Sequence, residues 1–507
     1  LGKLIYLYDA NQITIDGSTD LAFTENVGRQ FEGYEWHVIH VADGNDLPAL
    51  TEAISAAQSD PRPSLIILRT HIGYGAPNKQ DSASSHGSAL GPDEVAGAKI
   101  RLGWDPEAHF YVPDAALEAW RQAGPRGADF EADWNGLKAR YGADFPDDAA
   151  EFDRVIAGRL PDGWDADLPT IGTDKAVATR AASNQAINAI AAHVPELIGG
   201  SADLTGSNLT GIKGAEVVGP GTGGRYLHYG VREHAMACAM NGMALHGGVR
   251  PFGGTFLIFS DYMRPAVRLA ALMKAPTIFV YSHDSIGQGE DGPTHQPVEH
   301  LASLRAMPNM TVIRPADANE AVEAWRYTMN HREGPVALVL TRQNVPVFDR
   351  SRLAAASGLH QGAYTLYEPP AANGGRPAPD LIIIATGSEV WISVDAAERL
   401  AADGIRARVV SMPSWELFAR QPQPYRDEVL PPAVTARLSV ECLSTFGWER
   451  WVGEKGVSIG LDHFGASAPG NVVLREFGFT AENVEAHARA LVSGKALASN
   501  PGSVTTA

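Results

Sequence analysis

The feature that most constrains this chain is a succession of short apolar, β-branched runs alternating with longer helical stretches, arranged in three series along 507 residues. Continuous apolar runs separated by helices cannot be exposed on either face. They build parallel sheets with helices packed on both sides, the doubly wound α/β architecture. The first series predicts strands at residues 3–8, 36–41 and 65–68; the second at 196–198, 277–281, 312–314 and 337–340; the third at 381–385, 407–411 and 436–440. Residues 106–169 are rich in Asp, Ala and Trp and alternate weakly, which predicts helices, a connecting segment and a domain boundary. The Pro/Gly-rich stretch 368–379 reads as a linker or long loop. The expected organisation is α/β, with three doubly wound domains at 1–150 (connecting helices included), 170–350 and 360–507, and no repeat of fixed period. The chain enters its first strand directly from Leu1, and a parallel sheet needs neighbours for that strand. The first domain is therefore expected to be incomplete, with sequence upstream.

Charge narrows the function. With 59 acidic against 41 basic residues and a formal net charge of -18, the surface suits neither nucleic acid nor anionic lipid, though a local basic pocket remains compatible. Two cysteines, Cys238 and Cys442, without CxxC spacing, form no disulfide framework and point to a reducing compartment, the cytoplasm by default. No apolar run is long enough to span a bilayer, and no basic-then-apolar signal opens the chain. The glycosylation-type triplets at Asn208 and Asn309 then read as chance matches.

Several catalytic templates fail: the GxxxxGK[ST] phosphate loop, the HExxH zinc helix and the GxSxG elbow are all missing. Residues 219–224 match GxGxxG, yet they contain a proline and feed the strand-like stretch 225–229, whereas a dinucleotide fingerprint must open a helix. A plain loop is expected there.

What remains is a series of polar groups at strand ends, where ligands of open α/β sheets bind. Asn11, after the first strand, offers a hard oxygen suited to magnesium, and a nearby backbone carbonyl could supply another; an Asn turn is the ordinary reading. The glycine-rich segment 72–91 lets backbone approach a ligand and carries His86, which can donate to a phosphate or a sugar hydroxyl. Arg180 and Ser207 suit a phosphate, whereas Asp203 would repel one. Glu233 stands where a strand turns into the apolar helical stretch 235–245, so its carboxylate should be partly buried and need a partner. Phe252, Phe256, Phe259 and Tyr262 form an aromatic group able to enclose a flat heterocycle, or else plain core. The loop 282–297 carries His283, Asp291 and His295 among Gly and Pro; their spacing matches no zinc site, and acid–base and hydrogen-bonding roles fit better. Arg342 ends a further strand with another guanidinium.

Jointly, and in this order, these segments resemble transketolase. The specific motifs are GGSADLTxSNL at 199–209, YGxREHAM at 229–236, GGTFLxF at 253–259 and HDSIGxGEDGPTHQP at 283–297, and the resemblance runs over residues 1–478. It implies a diphosphate-binding domain, a pyrimidine-binding domain and a smaller C-terminal α/β domain, in a homodimer that shares two active sites and acts on phosphorylated sugars. The family's Gly-Asp-Gly motif and upstream histidines would precede Leu1. The implied cofactors are thiamine diphosphate and Mg²⁺, or another divalent cation such as Ca²⁺. The resemblance assigns Asn11 and the Ile13 carbonyl to the metal, and Asn11, His86, Asp203, Glu233, Phe256, Phe259 and Tyr262 to the cofactor. It assigns His86, Arg180, Ser207, His283, Asp291, His295 and Arg342 to the sugar phosphate, with Glu233, His283, His295 and His86 catalytic. The implied reaction moves a two-carbon ketol unit from a ketose phosphate to an aldose phosphate, as in the pentose phosphate pathway. A dihydroxyacetone synthase, with formaldehyde as acceptor, and a non-catalytic truncated subunit are the competing readings.

Overall fold

The computed structural model describes residues 1–369 and 378–494, so most of the stretch expected as a linker, residues 370–377, lies outside the described residues. The chain divides into two compact units, residues 1–136 and 137–507.

The first unit is built on three parallel strands, β1 (Ile5–Asp9), β2 (His37–Val41) and β3 (Ser64–Leu68), in the order β1-β3-β2. Helix α1 (Leu47–Ser59) starts where the Asp46 carboxylate accepts from the Ala49 N–H at 3.1 Å, and it buries Ala53 and Ala57 against Val41 and Ile66. Residues 114–156 form the helices Asp114–Arg121, Ala123–Asp144 and Pro146–Ile156, none with a buried residue, as their weak alternation predicts.

In the second unit, a six-stranded parallel sheet contains β4 (Leu197–Ser201), β5 (Tyr226–His228), β6 (Arg250–Phe256), β7 (Ile278–Ser282), β8 (Thr311–Ile313) and β9 (Val336–Val339), in the order β8-β9-β7-β6-β4-β5. Helices α2 (Thr179–His193), α3 (Glu233–His246), α4 (Ser260–Met273) and α5 (Ala318–Asn330) cover it. Its two faces are distinct cores: Ile187, Ile190 and Trp325 pack on one, Met236, Met240 and Met263 on the other. A five-stranded sheet follows, with β10 (Tyr364–Tyr367), β11 (Leu381–Ala385), β12 (Ala407–Ser411), β13 (Arg437–Val440) and β14 (Val457–Ile459) in the order β10-β12-β11-β13-β14. Only β10 is antiparallel to its neighbour. Helices α6 (Val390–Ala402), α7 (Gly470–Glu476) and α8 (Ala481–Ser493) complete this part.

The expected strands all form, two of them with the expected bounds and the others displaced by one to three residues at their ends. Three others, β6, β10 and β14, carry no clear sequence signal. In β6, Pro251, Gly253 and Gly254 argue against a strand. The structure explains both glycines: a Cβ on Gly253 would collide with the Met240 sulfur, and one on Gly254 would lie 2.7 Å from Thr210 Cγ2. Close packing on both faces of a central strand leaves no room for side chains. The GxGxxG match at 219–224 falls in a short hairpin ahead of β5, the expected loop and no helix start.

Candidate active site

Because β4, β5, β6, β7 and β9 run parallel, the segments that follow them all leave the same edge of the sheet. Those segments carry Asp203 and Ser207, Glu233, Phe259 and Tyr262, His283 to His295, and Arg342. Topology thus gathers groups scattered over more than a hundred residues of sequence.

The centre is a stack of rings. His283, 3% exposed, lies with its ring centroid 3.6 Å from that of Phe256, the planes 28° apart. Phe256 stacks on Phe259 at 5.6 Å, and Phe259 on Tyr262 at 5.7 Å. The stack runs from the buried His283 to the exposed Tyr262, while His295 approaches Phe259 edge-on at 5.5 Å. Phe252 stands apart from it: fully buried, it packs edge-on against Trp325 at 5.8 Å and belongs to the core. His283 also has φ +60°, a left-handed conformation unusual for a side chain of this size.

Two guanidinium groups sit beside this stack. Arg180 opens α2 and Arg342 follows β9; reciprocal bonds between Thr179 and Thr341, N–H to hydroxyl at 2.9 Å and 2.7 Å, hold the two segments together. Arg180 donates to the Ser207 carbonyl, its Nε is buried without a partner among the described residues, and its pKa is lowered by burial and then by the like charge of Arg342. Arg342 is exposed and has no partner among the described residues. Burial, then Arg180, Arg342 and His295, lower the His283 pKa to about 3, so its imidazole is neutral at physiological pH. The Ser207 hydroxyl makes no hydrogen bond among the described residues, and Asp203 and Asp291 are exposed and equally free of partners.

Glu233 is the first residue of α3 and is 7% exposed. The helix dipole favours a carboxylate there. Among the described residues it has neither a hydrogen-bond nor an ion-pair partner, and a buried carboxylate without one is costly.

The loop after β7 is fixed from behind. Asp284, beside His283, is fully buried and paired with Arg314 at 2.8 Å; Arg314 also pairs with Glu389 of the 3-10 turn that follows β11 in the neighbouring sheet. Further along, Ser467 donates to the Glu290 carbonyl at 2.6 Å, and Gln296 donates to the Ala466 carbonyl at 3.0 Å. Neither the Thr179–Thr341 clasp nor this backing has a local sequence signal, since each partner is a common polar residue far along the chain.

In the first unit, Asn11 and Ile13 line a depression of about 480 Å³ at the end of β1, together with Asp9, Asp20, Asn26 and His40. The Asn11 amide oxygen accepts from the Ile13 N–H at 2.9 Å, so the ordinary Asn turn is present, with a second lone pair to spare. Arg69, unremarked in the sequence, steadies the turn by donating to the Ala10 and Asn11 carbonyls at 3.3 Å each. His86 lies elsewhere in this unit, exposed at the end of a short 3-10 turn.

Three family profiles match the chain: "Transketolase, thiamine diphosphate binding domain" over residues 1–161, "Transketolase, pyrimidine binding domain" over 175–347, and "Transketolase-like TK C-terminal domain" over 362–480. The transketolase of Geobacillus stearothermophilus is 51% identical over 495 residues, covering 97% of this chain and 73% of that protein. That of Mycobacterium tuberculosis is 49% identical, covering 96% of this chain and 71% of its relative. Among solved structures, transketolase from Leishmania mexicana superposes with a TM-score of 0.91 at 42% identity, covering 97% of this chain and 72% of that one. Transketolase from Pichia stipitis in complex with sedoheptulose-7-phosphate gives 0.91 at 41% identity, covering 100% and 74%. With such identity along nearly its whole length and all three profiles in succession, this chain belongs to the transketolase family.

Proposed function

We propose that the residues gathered at the edge of the six-stranded sheet carry out the family's transferase reaction, moving a two-carbon ketol unit from a ketose phosphate to an aldose phosphate. The observation that carries this reading is the buried carboxylate of Glu233, without a partner among the described residues, on the same sheet edge as a stack of aromatic rings and two guanidinium groups. A buried carboxylate of this kind suits a ring nitrogen that gains a proton, and aromatic faces suit a flat heterocycle. The donor set therefore fits thiamine diphosphate. When bound, that cofactor supplies the electron sink for the two-carbon unit.

The chain's own residues then have distinct tasks. Glu233 holds a proton at the pyrimidine nitrogen; Phe256, Phe259 and Tyr262 hold the ring. Arg180, Ser207, His283 and Arg342 take the sugar phosphate, and the two guanidinium groups supply the positive charge that an acidic chain lacks overall. His86, His283 and His295 serve the hydroxyls and the carbonyl of the sugar, Asp291 accepts from a donor hydroxyl, and Asp203 lies on the cofactor side. Asn11 and the Ile13 carbonyl bind a divalent cation, for which an oxygen-lined depression is suited.

The reading extends to organisation. The domains at 1–150, 170–350 and 360–507 are assigned diphosphate-binding, pyrimidine-binding and C-terminal roles, and the protein acts as a homodimer in the cytoplasm, in the pentose phosphate pathway. Free Cys238 and Cys442 accord with a reducing compartment, and no helix among the described residues is long and apolar enough to cross a membrane.

The test is Glu233→Gln. The amide is nearly isosteric yet cannot stabilise a protonated nitrogen, so kcat for ketol transfer should fall by about 10²–10⁴-fold. Exchange of the cofactor C2 proton for deuterium should slow in parallel, with circular dichroism unaltered. An unchanged exchange rate would make Glu233 a helix-start carboxylate and remove the reading's central residue.

A further inference from the structure

The segment that carries Asp203 and Ser207 is gripped by one phenol from the next strand. Residues Thr205–Asn208 form a single turn of helix, and a turn that short does not persist on its own, so contacts from outside must fix it. Tyr226, the first residue of β5, supplies them: its hydroxyl lies 2.7 Å from Thr205 Oγ1 and 3.0 Å from Thr210 Oγ1. Thr205 opens the turn and Thr210 lies just beyond it, so one oxygen spans both ends. Tyr226 is 5% exposed and Thr210 is fully buried.

A phenol has one proton to give and lone pairs to receive, so Tyr226 can donate to one threonine and accept from the other. Among the described residues neither threonine hydroxyl has another partner. Removing the phenol oxygen leaves the buried Thr210 hydroxyl unsatisfied and releases the start of the turn, the costly case of an unmade hydrogen bond. The other fastenings act elsewhere on the segment. The Leu204 N–H donates to Ser201 Oγ at 3.1 Å, which fixes Asp203 between them. The Ser282 hydroxyl donates to Asn208 Oδ1 at 2.8 Å, and Asn184 Nδ2 donates to the Leu209 and Gly211 carbonyls at 2.8 Å and 3.0 Å. None of these grips Thr205 or Ser207. Arg180 does, because its guanidinium donates to the Ser207 carbonyl. The place of Ser207 and the aim of Arg180 thus depend on the same turn.

We infer that Tyr226 is a positioning residue that sets the Ser207 turn, and through it Arg180, for the phosphate end of the sugar. This rests on the reading that places Ser207 and Arg180 at that phosphate. Asp203 precedes the turn and is held by way of Ser201, so the cofactor side does not depend on Tyr226. The consequence of losing the phenol oxygen is confined to phosphate recognition and leaves the chemistry around Glu233 alone.

The anchoring can be read by amide hydrogen exchange in the protein loaded with thiamine diphosphate and magnesium. In Tyr226→Phe, which loses one oxygen and keeps the ring, the Asn208 and Leu209 amides that close the turn on the Leu204 and Thr205 carbonyls should exchange about tenfold faster. KM for a phosphorylated ketose should rise about tenfold with kcat unchanged, while KM for an unphosphorylated ketose and the affinity for thiamine diphosphate stay as in wild type. Thr205→Val, at the less buried end, should show the same split and serves where Tyr226→Phe fails to fold. In the double variant Arg180→Ala, Ser207→Ala the effect of Tyr226→Phe on KM should vanish, since both contacts that it positions are gone. Unchanged exchange in both single variants, equal KM increases for the two sugars, or an undiminished effect in that double variant overturns the inference. If exchange quickens while Arg180→Ala and Arg342→Ala both leave KM for the phosphorylated sugar unchanged, the phosphate reading fails and the anchoring of the turn stands.

Discussion

Arg180 and Arg342 carry the same charge but are held differently, and this decides which of them reports cleanly on phosphate binding. Arg180 is half-buried and tied to the Ser207 carbonyl, so its removal disturbs a backbone contact as well. Arg342 is exposed and partnerless among the described residues. Arg342→Ala should therefore raise KM for phosphorylated sugars by the equivalent of about 1.5–3 kcal/mol, with little effect on unphosphorylated ones. Equal losses for both substrate types in steady-state assays would assign the arginine a structural role. His283 gives a pH prediction of definite sign. Its folded-state pKa, about 3, lies below the unfolded value, so its contribution to stability is present above pH 6.5 and is lost as pH falls from 6.5 toward 3. In that window the protein should lose roughly 1.4 kcal/mol per pH unit through this group. His283→Gln should flatten the dependence in urea titrations at stepped pH; an unaltered slope would mean that His283 titrates normally.

At the scale of elements, the loop after β7 is positioned by what lies behind it. Arg314 follows β8, is wholly buried and pairs with both Asp284 and Glu389, while Arg305 pairs with Glu441 at 2.8 Å close by. Burying such groups costs several kcal/mol per ion, and removing one partner strands the others. Arg314→Ala should therefore cost about 3–5 kcal/mol in urea unfolding, whereas an exposed arginine such as Arg475 should cost less than about 1 kcal/mol. Helix α7 acts on the same loop by contact. A Cβ on Gly470 would collide with the Gly287 carbonyl, so Gly470→Ala should displace the turn between His283 and His295. The expected result is a lower kcat with an unchanged far-ultraviolet circular dichroism spectrum; full activity would show that the turn yields without consequence.

For the molecule as a whole, helix α4 leaves Leu269, Leu272 and Met273 exposed, and Tyr262 and Leu245 are exposed near the same core. Scattered apolar side chains are ordinary, but several on one helix make a surface that water covers poorly. This supports the proposed homodimer, in which a second copy covers such a surface and the sites are shared. Light scattering should give twice the monomer mass at working concentrations, with activity falling as dilution separates the subunits. Full activity in the monomer would contradict the shared site.

The sequence alone determined the α/β class and most of its strands, because a run such as 381–385 is apolar throughout and can only be buried on both faces. It also singled out Glu233, His283 and the two arginines as candidates, through the joint order of segments that resembles transketolase and not through any one residue, each of which has an ordinary structural reading. Strand β6 was legible only in three dimensions: its glycines are tolerated because Met240 and Thr210 occupy the space of their side chains, a fact of packing between distant segments. The stacking of His283 on Phe256, the Thr179–Thr341 clasp that sets Arg180 beside Arg342, and the Asn208 link to Ser282 were decided by tertiary structure for the same reason. Sequence period reports which face of an element is apolar, whereas the direction of a hydrogen bond depends on which polar partners folding brings within reach.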